Sequence, residues 1–70
     1  MIKKGIYRHY KGNLYKVLDT ATHSETLEKM VVYQALYGDY DIWVRPLSMW
    51  NEDVNTDGKT VKRFTFIQDE

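Results

Sequence analysis

Apolar residues fall at alternate positions in short runs, and turn-forming residues separate the runs. "GIYRHY" (5–10), "LYKVLDTAT" (14–22) and "VKRFTFI" (61–67) read this way, while "KMVVYQALY" (29–37) and "DIWVR" (41–45) are short apolar runs rich in strand formers. A period of two fits a pleated strand, and helical periodicity is weak throughout. The separators carry turn chemistry. Lys11-Gly12-Asn13, Tyr37-Gly38-Asp39 and Asn55-Thr56-Asp57-Gly58 place Gly, Asn or Asp where the chain must reverse. Pro46 cannot donate to a ladder and stops the fourth run. "PLSMWNEDV" (46–54) reads as a loop or a single helical turn.

The pattern predicts which faces pack. In the second strand, Leu14 to Thr22, Tyr15 and Val17 share a face, and Ala21 and His23 continue that parity. Asp19 would then point into the apolar side, so a bulge near Leu18-Asp19 is expected. The third strand, Lys29 to Tyr37, is apolar on both parities and reads as a central strand covered at least partly on both faces. Phe64 and Phe66 share a face opposite Arg63 and Thr65. Five antiparallel strands with tight turns predict a mainly β fold: a small SH3-like barrel spanning 1–70 as one domain, with room for one short helical turn.

A chain of 70 residues buries only roughly 60 % of its unfolded surface. It contains no cysteine, so disulfides, thiolate metal sites and cysteine nucleophiles are excluded. Strand pairing and ten aromatic residues are left to stabilise it. The longest apolar run, Met30 to Tyr33, is far short of the ~20 residues of a spanning helix. No leader pattern is read, and a cytoplasmic location without membrane contact is the expectation. Net charge is zero, yet Lys3, Lys4, Arg8, Lys11 and Lys16 fall in residues 3–16 without an acid. The rest of the chain holds five bases against ten acids. In a small domain this asymmetry usually means a basic strand facing acidic loops.

"ATHSETLEKMVVYQALYG" (21–38) runs from small polar residues into an apolar block. Thr22…Glu25 and, more loosely, Ser24…Glu28 have capping-box-like spacings, and Ser and Thr can hold a turn through backbone amides. The stretch therefore reads as a turn that presents His23 and Glu25.

Several dense motifs carry a resemblance. Tyr10-Lys11-Gly12, Tyr15-x-Val17, Ala21-x-His23-Ser24-Glu25-Thr26, Val31-Val32-Tyr33, Leu36-Tyr37, Trp43-Val44-Arg45-Pro46 and Arg63-Phe64 occur in that order from about residue 5 to 67. Together they resemble the small bacterial proteins classed as Domain of Unknown Function 1653. The resemblance implies a compact β-rich domain and no settled activity. Trp50 stands where that family's loop is expected to carry Phe. Function has to be argued from the site.

Tyr7, Tyr10, Tyr33, Tyr37, Tyr40, Trp43 and Trp50 are more rings than an interior this small hides, so some should line a groove. His23, Glu25 and Arg45 could grip a carboxylate or phosphate. The plainer alternative is an internal network in which Glu25 pairs with Arg45. The reading is a non-enzymatic module that binds a small anionic or peptide-like ligand through Tyr10, His23, Glu25, Tyr33, Trp43 and Arg45. Nucleic-acid binding through Lys3, Lys4, Arg8 and Lys11 is the alternative, though a pI near 6.7 is low for it. A homodimer seam formed by the rings is the third reading, so monomer and homodimer both stay open. His9, His23 and Glu25 fall on different segments and do not make a metal site. No cofactor motif, phosphate loop or nucleophile elbow is present, and an enzyme is the weaker reading.

Overall fold

A computed structural model describes residues 2–69. These residues form seven strands and one short helix: β1 Gly5–His9, β2 Leu14–Thr22, β3 Lys29–Ala35, β4 Ile42–Pro46, α1 Leu47–Trp50, β5 Asp53–Thr56, β6 Lys59–Lys62 and β7 Phe64–Gln68. β4-β3-β2-β1-β7 make one antiparallel sheet, and β5 and β6 pair separately as a hairpin. The mainly β expectation holds. β3 is an interior strand, paired on both sides, with Val31, Tyr33 and Ala35 buried and the residues between them half-buried.

The barrel is not closed. β4 and β7 are the sheet edges, and no ladder joins them. They still lie across the core from each other, since the Arg45 guanidinium of β4 sits 5.8 Å from the Phe64 ring of β7. Trp50 explains the gap. It is 1 % exposed, stacks on Phe64 at 3.8 Å between centroids, and meets Tyr7 of β1 and Tyr33 of β3 edge-on. An indole held inside the curl keeps the edges farther apart than the ~4.8 Å spacing of paired strands. Around it, Tyr7, Tyr15, Val17, Val31, Tyr33, Ala35 and Phe64 complete the core.

Two local features differ in detail from the pattern. The expected bulge exists: β2 pairs Val17 with Tyr33, then Asp19 with Val32 and Thr20 with Val31. Leu18 is the extra residue, and beyond it the parity reverses. Thr20, not Ala21, lies opposite buried Val31. The final apolar run is not one strand. The Arg63 amide donates to the Glu52 carbonyl, while the Arg63 carbonyl accepts from the Tyr10 amide. The chain therefore changes sheets at Arg63, leaving β6 with β5 and β7 with β1. The β5–β6 turn runs through Asp57 and Gly58, both at positive φ (51° and 75°), as a two-residue primed turn requires.

The Trp50 Nε1–H is buried and finds no hydrogen-bond partner among the described residues. Trp50→Ala should cost about 3–5 kcal/mol, comparable with a total stability of ~5 kcal/mol. Trp50→Phe keeps a ring on Phe64 and removes a donor whose unpaired burial costs about 1–3 kcal/mol. Its net loss should stay below about 1.5 kcal/mol. Urea unfolding followed by circular dichroism checks this, and equal losses for the two variants would refute it.

Candidate functional site

The core face of the sheet carries a cluster of rings around Phe64. Register puts Trp43 opposite Tyr33 and Arg45 opposite Val31, so both side chains of β4 lie on the core face. His9 of β1 pairs with Phe64 of β7. Phe64 is the hub, with ring centroids of His9 at 5.0 Å, Tyr15 at 5.7 Å and Tyr33 at 6.1 Å. Trp43 packs against Tyr33 at 6.0 Å and Tyr15 at 6.3 Å, yet stays 41 % exposed. Tyr37, 39 % exposed, shares a 2.7 Å hydrogen bond between its hydroxyl and that of Tyr15. Burial first, and the Tyr37 bond second, push the Tyr15 phenol up to about 12. Tyr10 stacks on His9 at 4.6 Å.

Three cations influence His9. The charges acting on His9 are those of Arg63, Arg45 and Lys11, in that order. Burial is the largest influence on His9, and together these lower its pKa from the ordinary 6.5. Lys11 also lies 5.9 Å from the Tyr10 ring. Arg63 faces Glu52 at 3.6 Å. Arg45 forms no ion pair among the described residues, and the Nε of Arg45 and of Arg63 are buried without partners. A half-buried guanidinium without a counter-charge beside exposed rings attracts an anion that brings apolar surface with it.

Three of the expected residues, Tyr33, Trp43 and Arg45, thus share one face, while Tyr10 lies in the turn after β1, stacked on His9. His23 and Glu25 do not join them. They occupy the β2–β3 turn, at the other end of the sheet from the Tyr10–Asn13 turn and the Arg63 crossing, where residues 21–29 are all exposed. His23 Nδ1 accepts from the amides of Glu25 and Thr26 at 3.2 and 3.3 Å, and its backbone closes the hairpin with Leu27 and Glu28. No Glu25–Arg45 pair forms among the described residues. The reversal of parity at Leu18 is the physical reason: a regular β2 would have kept His23 in phase with Val17.

The basic N-terminal stretch does not make one patch. Lys3 pairs with Asp69 and lies over Phe66, and Lys4 lies 3.9 Å from Asp19. Arg8 alternates with core-facing Tyr7 and His9 and is exposed. Lys11 sits past the far end of β1, in the turn. A separate cleft of about 340 Å³ lies behind Phe64, lined by Tyr7, Asn51, Lys62, Phe64, Thr65 and Phe66. Among the described residues no cluster of three metal-ligating groups occurs, and no helix is long and apolar enough to cross a membrane.

The family described as Protein of unknown function (DUF1653) matches residues 5–66. The chain belongs to the DUF1653 family. It is similar to the crystal structure of a DUF1653 protein from Bordetella bronchiseptica, at 38 % identity and a TM-score of 0.90, over 99 % of this chain and 91 % of that one. No curated protein matches. The resemblance read from the motifs is therefore confirmed, and this DUF1653 chain inherits a fold and no activity.

Sequence reasoning missed that His9 packs on Phe64 and that Arg63 crosses between the sheets. His9 lies in the period-two run of β1, in phase with Tyr7, which placed it on the core face. Nothing in the sequence announced the sheet change that brings Arg63 beside it. His9 Nδ1 accepts from the Lys11 amide at 3.2 Å, a bond that protonation at Nδ1 would break. Because folding lowers its pKa, His9 favours the native state fully above pH 6.5 and progressively less as pH falls through its folded value. Stability should therefore drop as pH falls below 6.5 and through the lower folded value of His9. His9→Asn, which keeps an acceptor for Lys11, should flatten that part of the profile. Thermal melts across the window check it, and an unchanged slope in the variant would refute it.

Proposed function

We propose that this DUF1653 protein is a non-enzymatic binding module whose ligand combines an anionic group with apolar surface. Tyr10, Tyr33, Trp43 and Arg45 carry the contact, with Arg63 and Lys11 adding positive charge. The observation behind the reading is Arg45, whose guanidinium lies 5.8 Å from the Phe64 ring with no carboxylate partner among the described residues, on the same face of β4 as the half-exposed Trp43. Clefts that bind small molecules commonly join an apolar wall to a few polar groups of fixed direction. His23 and Glu25 act in this reading as the hydrogen-bonded tip of the β2–β3 hairpin, outside that contact.

Trp43→Ala and Arg45→Ala remove half-exposed and half-buried groups outside the innermost core, so both variants should stay folded. NMR shift mapping with short peptides, nucleotides and aromatic acids should move wild-type signals around Trp43, Arg45 and Phe64. Each variant should lose those shifts while keeping the rest of its spectrum. Retained binding in both, or shifts confined to the His23–Glu28 tip, would overturn the reading.

A further inference from the structure

β4 is a sheet edge whose sequence is complementary to itself. The Ala35 amide donates to the Asp41 carbonyl at 3.0 Å, continuing the register that pairs Tyr33 with Trp43 and Val31 with Arg45. These alternate residues turn their backbone groups towards β3. Ile42 and Val44, between them, turn theirs outward, and no strand of the described residues pairs with that side of β4. Free edges are commonly blunted by Lys, a bulge or an inward-pointing charge. Here Ile42 and Val44 are 59 % and 60 % exposed, on the outer face beside half-buried Val32.

Two copies can pair antiparallel along this edge about a two-fold axis. Three registers set the outward residues against each other. With Ile42 opposite Ile42, Val44 faces Tyr40, whose φ of 56° lies outside the strand region. With Val44 opposite Val44, Ile42 faces Pro46, which has no amide to donate. With Trp43 opposite Trp43, Ile42 meets Val44 on both sides of the axis, and every outward amide of both residues finds a carbonyl. The same register sets Asp41 opposite the partner's Arg45 on each side. Neither Asp41 nor Arg45 has an ion-pair partner among the described residues. Opposite charges facing across a ladder are favourable, and like charges are not.

We propose that β4 is a homodimer seam, formed by antiparallel pairing of residues 41–45 about Trp43, which joins two five-stranded sheets into one. A seam of one short strand is small beside the roughly 1,200–2,000 Å² of stable interfaces, so the dimer forms at high concentration. The pairing does not rest on the ligand reading, although the partner's Asp41 and an anionic ligand compete for Arg45.

Sedimentation equilibrium from about 20 μM to about 1 mM should show the mass rising from that of one 8.4 kDa chain towards twice that. Asp41→Asn, at an exposed position, should weaken the association about three- to tenfold. Val44→Lys should abolish it, and both variants should keep the wild-type circular dichroism. The register has its own readout, because the chain contains no cysteine. Ile42→Cys, Trp43→Cys and Val44→Cys, made singly, can cross-link only between copies, and the spacing of a directly opposed pair suits a disulfide. Trp43→Cys should oxidise to a covalent dimer at least about tenfold faster than the other two. A monomer mass across the whole concentration range would overturn the proposal. Self-association unchanged by Val44→Lys would put the seam elsewhere and overturn it too. Fastest cross-linking at position 42 or 44 would overturn the register and the Asp41–Arg45 pairing with it. These measurements involve no ligand, so their failure leaves the ligand reading standing.

Discussion

The fold depends on the stack of Trp50 against Phe64. In a closed barrel, backbone hydrogen bonds would hold the two ends of the sheet together. Here β4 and β7 share none, and side chains do the work. Phe64 projects from β7 and is met by Trp50 of α1, by Tyr33 of β3 and by the guanidinium of β4. Each large ring buries roughly 150–250 Å², so at about 25 cal/mol per Å² the pair outweighs most other terms in a chain of this size. The bound is generous, since an unfolded chain already hides part of that area. The conclusion survives a large discount, because no disulfide shares the load.

The same openness leaves part of the core face uncovered. Closure would have turned Trp43 and Arg45 inward with the rest of the core face. Instead the edge strand leaves Trp43 exposed on that face and Arg45 only half-buried. Exposed edges invite pairing with other chains. Pro46 ends the β4 edge and denies a partner one backbone donor, while α1 turns the chain back over the core. The exposed ring and the half-buried guanidinium follow from how the curl is plugged.

Much of this architecture was legible in the chain. Alternation located the main sheet strands, turn residues marked the reversals, and the misplaced Asp19 announced a bulge. The consequence of that bulge was harder to read, because one inserted residue flips every later side chain of the strand. Phase counted from Val17 put His23 on the apolar side, whereas phase counted from Thr20 puts it on the other. The Arg63 crossing was hidden for a different reason. Lys59 to Gln68 has strand character throughout, and only tertiary hydrogen bonds to Glu52 and Tyr10 decide that it must be split. Of the expected site, the residues fixed by strand register came together. Those whose position depended on an irregularity did not.

The two histidines show why residue type alone could not locate the site. Each lies at a strand-to-turn junction, and each offers Nδ1 to the backbone amide of a residue two positions on: Lys11 for His9 and Glu25 for His23. Locally they have the same role. His9, however, is packed among Tyr10, Tyr15 and Phe64 and feels three cations from three separate segments, whereas His23 projects on an exposed tip. A turn-holding histidine needs only its own few residues, so a sequence motif can specify it. The surroundings of His9 need charges delivered by the β1–β2 turn, by β4 and by the crossing into β7 to arrive at one ring. Only the curl around Trp50 brings them there, and that makes the packing of one loop indole a condition for the chemistry at that ring.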